Sequence, residues 1–154
     1  MLEGNAVVSS MTAMTRSGPS APLKKLIDLI PNDSFVLDYG CGKGADVRHL
    51  SAKGYSVDGY DPHWSNIDLS DKNNYYDVIL CTYVLNVLPK DAEGQIVDDI
   101  VSKLKVGGTA YITVRRDSFS EGKTSRGFQR HVYLKNAESF YKNSSYETYI
   151  IIKE

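Results

Sequence analysis

The chain of 154 residues is predicted to fold as an α/β protein, a mostly parallel sheet with helices on both faces, on three observations. Phe35 to Tyr39 is a short, continuous apolar run rather than an alternating one, as expected for a parallel strand buried on both faces. Segments of helical spacing lie between this run and the later ones. Between the first run and the helix after it stands Gly40-Cys41-Gly42-Lys43-Gly44, a turn suited to the ligand crevice at a strand's carboxyl end.

The elements follow in order. Residues 1–19, rich in Ser, Thr, Gly and Met, are expected to form a partly flexible arm, with 20–154 as one domain. Ala21 to Ile30 carries Leu23, Leu26, Ile27 and Ile30 on one helical face, and Pro31 ends it. Phe35 to Tyr39 is the first strand. Ala45 to Lys53 is the next helix, with Val47 and Leu50 toward the sheet and Gly54 as its cap. Tyr55 to Tyr60 is the second strand. Asp91 to Lys105 forms a helix whose face is Ile96, Val97, Ile100, Val101 and Leu104, closed by Gly107-Gly108. Thr109 to Val114 is a strand, and Tyr146 to Ile152 is its antiparallel partner. His131 is assigned to a late strand.

Two carboxylates give the turn its chemistry. Asp61, at the tip of the second strand, can accept from both hydroxyls of a ribose. Gly40, Gly42 and Ala45 also satisfy the looser fingerprint of nicotinamide and flavin domains. Asp38 separates the two classes, because a carboxylate two residues before the first glycine would repel a pyrophosphate but attract the ammonium of S-adenosylmethionine (SAM).

The stretch Asp38 to Gly44 resembles the first motif of class I SAM-dependent methyltransferases, and Asp61 matches their ribose-binding acid. Tyr76 to Leu88 is similar to their fourth strand and following loop, and Lys103 to Ile112 to their turn into the fifth strand. The resemblance implies a Rossmann-like, three-layer αβα fold that binds SAM. More specifically, the chain is similar to the methyltransferases associated with DNA phosphorothioation. That likeness rests on Thr12-Ala13-Met14-Thr15-Arg16-Ser17 with Ser20 and Pro22, on Gly59-Tyr60-Asp61-Pro62, on Tyr83 to Val87, and on Thr124 to Arg130. Only fifteen residues separate Asp61 from Asp77, so the third strand of the family is expected to be missing or vestigial.

Cofactor-binding residues are assigned on this basis to Arg16, Asp38, Gly40, Cys41, Gly42, Asp61, Pro62, Trp64, Asp68, Thr82 and Tyr83. Trp64 can stack on the adenine or simply close the sheet edge, and Asp68 can accept from the adenine amino group. Arg16 and Arg126 can reach the cofactor carboxylate, reach an acceptor phosphate, or remain solvated. Tyr83 and Asn86 are the candidate catalytic residues, able to orient an acceptor, with core packing and a helix cap as their ordinary roles. The loop after the fourth strand holds neither an Asn/Asp-Pro-Pro-aromatic motif nor a Pro-Cys pair, which withdraws support from the standard DNA-base reactions. Arg115, Arg116, Lys123, Arg126 and Arg130, with Phe119 and Phe128, form a basic tract. It suits either an acceptor-binding lid or an ordinary solvated loop, since Asp117 and Glu121 dilute it.

Eighteen basic against nineteen acidic residues, a formal charge of −1 and a pI near 6.3 demand no nucleic-acid or membrane partner. Cys41 and Cys81, at the ends of strands expected to be neighbours, read as reduced packing thiols. His49 reads as exposed or structural, and no metal-ligand spacing appears. No basic start with an apolar run marks a secretory signal, and the apolar stretch near Val78 to Leu88 is too short to span a bilayer, so a cytoplasmic protein is expected. The expected activity is SAM-dependent methyl transfer with a nucleic acid as acceptor. A small-molecule acceptor is one alternative, and a SAM-binding module or subunit without activity is another.

Overall fold

A computed structural model describes residues 16–124 and 127–154; the signature at Thr12 to Thr15, most of the arm, and Ser125-Arg126 lie outside the described residues. Helix α1 is Ala21–Leu26, followed by a 3₁₀ turn at Ile27–Leu29. The predicted helix therefore tightens four residues early. Its cause is Tyr55, whose hydroxyl donates to the Ile30 carbonyl at 2.7 Å and draws the last turn toward the second strand.

Strand β1 (Phe35–Tyr39), helix α2 (Ala45–Ala52) and strand β2 (Ser56–Tyr60) follow as the pattern implied. Strand β3 is Tyr76–Thr82, and helix α3 (Glu93–Lys103) starts after a 3₁₀ turn at Lys90–Ala92. Strand β4 is Leu104–Arg115, longer than the predicted Thr109 to Val114 because the chain rejoins β3 at Tyr76 opposite Leu104 before the Gly107-Gly108 irregularity. Strands β5 (Gly122–Thr124) and β6 (Gly127–Gln129) form a separate two-stranded hairpin. Strands β7 (Glu138–Lys142) and β8 (Tyr146–Ile152) complete the main sheet.

The sheet order is β2-β1-β3-β4-β8-β7, parallel through β4 and antiparallel at β8 and β7. Beyond β2 there is no third strand: residues 61–75 cross back without helix or strand, pinned by the isolated Asp61–Ser65 bridge. Leu69 of this crossing is buried and fills part of the space a helix would occupy. The core lies on both faces of the sheet. Leu23, Leu26 and Leu50, from α1 and α2, pack over Val36, Val78 and Leu80. Ile96 and Ile100 of α3 pack with Leu37, Ile79 and Ile112 on the other face. Alternate strand residues thus face opposite helical layers, which is why these runs are mostly apolar on both faces.

His131 is not on a strand. The chain leaves β6 as its backbone N–H donates to Glu121 (2.8 Å) and its ring stacks on Phe119 at 4.3 Å. No helix among the described residues is long and apolar enough to cross a membrane.

Candidate functional site

After β1 the chain moves left to β2, and after β2 it returns to the right of β1 as β3. Between the carboxyl ends of β1 and β3 the connections therefore diverge and leave a crevice. A cavity of about 460 Å³ opens there, within the usual range for small-ligand sites.

One wall is the glycine turn. The Gly40 and Cys41 amides donate to the Tyr60 carbonyl at 2.6 and 2.9 Å, and the Gly42 amide donates to Asp61 Oδ2 at 3.0 Å. The turn is thereby tied to the tip of β2. Gly40 has φ +83°, and a Cβ there would lie 2.4 Å from Val84 Cγ2, so only glycine fits between the turn and the segment after β3. Asp61 is buried and also accepts from the amides of His63 (2.9 Å) and Trp64 (3.1 Å).

Asp38 is 3 % exposed, and no described residue donates a hydrogen bond to it. Burial, with Asp46 and Asp61 adding to it against the opposing pull of Arg16, pushes its carboxyl from 3.8 up to about 8. Arg16 lines the cavity with its guanidinium 5.9 Å from the centre of the Tyr83 ring. Its position follows from a latch four residues downstream. The Ser20 amide and hydroxyl donate to the two oxygens of Asp46, each at 2.7 Å, in the first turn of α2.

The opposite wall comes from the ends of β3 and β4. Tyr83 has φ +60°, a conformation that bulky residues seldom adopt and that turns the chain sharply at the cavity. Burial raises its phenol above the ordinary value, so near neutrality it can donate a hydrogen bond but cannot serve as a base. Asn86 is 1 % exposed and donates to Gln129 Oε1 at 3.0 Å. Arg115 forms a two-pronged pair with Asp117 (2.8 and 2.5 Å), and Gln129 and Ser145 close the rim.

Of the residues singled out in the sequence, Arg16, Gly40, Cys41, Gly42, Asp61, Thr82, Tyr83 and Asn86 line the cavity. Asp38 lies behind the glycine turn, within the field of Arg16, Asp46 and Asp61. Pro62, Trp64 and Asp68 are not on its walls. Trp64 is 44 % exposed beneath the Lys43 ammonium, and Asp68, facing solvent, is turned onto its own loop where the Ser70 amide donates to it. Lys43, Asp117, Gln129 and Ser145 were missed. The last three arrive from segments that only the sheet order brings to this end, and no local pattern marks them.

The basic tract is not a free cationic face. Arg116 is buried and bonded to Glu147, Val132 and Tyr149, and Arg130 to Leu88 and Glu93. With Arg115 held by Asp117, Lys123 is the tract's exposed cation among the described residues. Both thiols are inert by environment: burial pushes Cys41 up to about 12 and Cys81 well above its ordinary value. No group of His, Cys, Asp and Glu among the described residues could hold a metal ion.

A family model described as a methyltransferase domain matches residues 14–146. A search of curated proteins by sequence gives no match. Among solved structures, the PH0226 protein of Pyrococcus horikoshii is similar over 100 % of both chains, with TM-score 0.68 and 14 % identity. The 1,6-didemethyltoxoflavin-N1-methyltransferase of Burkholderia thailandensis, with bound 1,6-didemethyltoxoflavin and S-adenosylhomocysteine, is similar over 96 % of this chain and 77 % of its own, with TM-score 0.57 and 16 % identity. A protein described for the conversion of a disulfide bond into a thioacetal group during echinomycin biosynthesis is similar over 62 % of this chain, with TM-score 0.55 and 22 % identity. The chain spans 48 % of that protein's length.

Proposed function

This chain belongs to the methyltransferase-domain family, and from that premise we propose that it is a SAM-dependent methyltransferase that methylates a small polar acceptor at the carboxyl ends of β1, β3 and β4. The observation that carries this reading is that Arg16, the glycine turn and Asp61 line one cavity, with the buried Asp38 behind the turn in the field of Arg16. A zwitterionic amino-acid tail and a ribose need that set of groups.

The residues present fit the cofactor. Gly40 and Gly42 leave backbone rather than side chain at the wall, and Asp38 is a buried carboxyl to which no described residue donates. SAM supplies a methyl group on a sulfonium, already electrophilic. The protein's part is to bind, orient and exclude water. Arg16 would hold the carboxylate, Asp38 the ammonium, and the remaining acceptor capacity of Asp61 the ribose. Tyr83, protonated, would donate to the acceptor and fix its approach.

A small acceptor is favoured because Arg115, Arg116 and Arg130 are committed to internal carboxylates and carbonyls. A nucleic-acid acceptor is the second reading. It is supported by exposed Lys123, in register with Phe128 across the β5–β6 hairpin, and by the likeness to the phosphorothioation-associated methyltransferases. Calorimetric titration with S-adenosylhomocysteine tests the cofactor reading, with NAD and the variant Asp61→Ala as controls and circular dichroism to verify folding. The expected result is binding of the nucleoside, none of NAD, and affinity at least about tenfold weaker in the variant. Failure of the folded wild type to bind S-adenosylhomocysteine would falsify it. Fluorescence anisotropy with a single-stranded oligonucleotide at low salt then separates the two acceptor classes.

A further inference from the structure

Asn86 Oδ1 is completely buried and has no hydrogen-bond partner among the described residues. Buried polar atoms are nearly always paired, so an orphan needs a reason. This one belongs to a side chain that lines the cavity on the acceptor side, just after β3. Its amide nitrogen donates to Gln129 Oε1 at 3.0 Å, and Gln129 lines the same cavity from the other hairpin. The loop is fixed behind the pair, because the Arg130 amide donates to the Asn86 carbonyl at 2.8 Å and the Arg130 guanidinium grips Leu88 and Glu93.

The two amides satisfy only half of each other. With Asn86 donating to Gln129, an acceptor oxygen on Asn86 and the amide hydrogens of Gln129 are left over. Turning both amides over leaves hydrogens on Asn86 and an oxygen on Gln129. In either arrangement the pair retains one donor and one acceptor close together, the arrangement by which Asn and Gln side chains engage the paired donor and acceptor of a base edge.

Resting on the transferase reading above, we propose that Asn86 and Gln129 form the acceptor subsite. It takes a small planar molecule with an N–H donor adjacent to a hydrogen-bond acceptor, either a carboxamide or an amino-substituted nitrogen heterocycle. Docking satisfies the orphaned amide group and turns the planar edge toward the methyl position. The pair orients and selects; it does not take part in proton transfer. Molecules with an acceptor alone, or an apolar ring, leave the donor–acceptor pair unmatched and are rejected.

The test uses the full chain saturated with S-adenosylhomocysteine and saturation-transfer NMR with three probes of similar size: benzamide, methyl benzoate and toluene. Benzamide is expected to bind and the other two are not. Gln129→Leu, at a half-buried position on the two-stranded hairpin outside the main sheet, is expected to abolish the benzamide signal while calorimetry gives an unchanged affinity for S-adenosylhomocysteine. Asn86→Leu is expected to do the same. It is also expected to melt no lower than the wild type, because it removes an unpaired buried group; a purely structural asparagine would lower the melting temperature. Binding of toluene or methyl benzoate as well as benzamide overturns the proposal, as does benzamide binding that survives Gln129→Leu, or none by the wild type. Failure of S-adenosylhomocysteine itself to bind is a separate result and removes the cofactor reading beneath it.

Discussion

Asp38 shows how a single residue couples the fold to the ligand. With its carboxyl at about 8 inside the protein against 3.8 outside, the folded chain holds a proton across that window that the unfolded chain has lost. Stability from this group is therefore complete below about pH 4, falls as pH rises toward about 8, and is flat beyond. Asp38→Asn should flatten that stretch of a denaturation-versus-pH curve. At neutral pH an arriving ammonium should drive the proton out. S-adenosylhomocysteine binding near pH 7 is thus expected to release a proton, read as a dependence of the calorimetric enthalpy on the buffer's ionisation enthalpy, and the dependence should vanish in Asp38→Asn. The position of Asp38 two residues before Gly40 was legible in the sequence. Its burial beside other carboxylates was not, since Asp46 and Asp61 come to surround it only once α2 and β2 are packed beside β1.

At the scale of elements, that Ser20–Asp46 latch joins α1 to α2 and sets the course of the chain leading back to Arg16. Loosening it should act on the amino-acid tail alone, through Arg16 and through Asp38, which also feels the Asp46 charge. Asp46→Asn is expected to weaken S-adenosylhomocysteine by about tenfold while leaving 5′-methylthioadenosine, which lacks the amino-acid tail, bound as before. Equal losses for both ligands in paired calorimetric titrations would mean that the latch is only a helix-docking contact. A second joint, Arg116 to Glu147 at 2.8 Å, ties β4 to β8 inside the sheet. Arg116→Met leaves a buried carboxylate without its cation and is expected to cost about 3 kcal/mol or more in urea denaturation. The helices and the strands β1 and β8 were readable because each carries an apolar run or stripe matched to its burial, and β2 from its place between the glycine turn's helix and Asp61. Strand β7 was not, since its side chains are largely exposed and it is held at the sheet edge by backbone pairing to β8. The absent third strand was readable from spacing alone, because fifteen residues cannot supply both a helix and a strand.

Across the whole molecule the charges nearly balance, and the arginines of the basic tract are drawn inward rather than displayed. A count of basic residues along the chain could not reveal this, because Glu93 and Glu147 become their partners only once α3 and β8 are in place. The cavity has the same dependence on assembly. Its walls come from Arg16, the turn after β1, the tip of β2, the ends of β3 and β4, the β5–β6 hairpin and the turn before β8. A ligand seated there touches the carboxyl ends of β3 and β4 and the turns that follow β1 and β2, and so acts as a fastener for the parallel part of the sheet. At a hundred times its dissociation constant it would add about 2.7 kcal/mol against unfolding, wherever in the chain unfolding begins. Amide-exchange protection should therefore rise as far away as Tyr149 and Val36, which touch no part of the cavity. A variant crippled at a distant core position should recover its lifetime in the presence of S-adenosylhomocysteine.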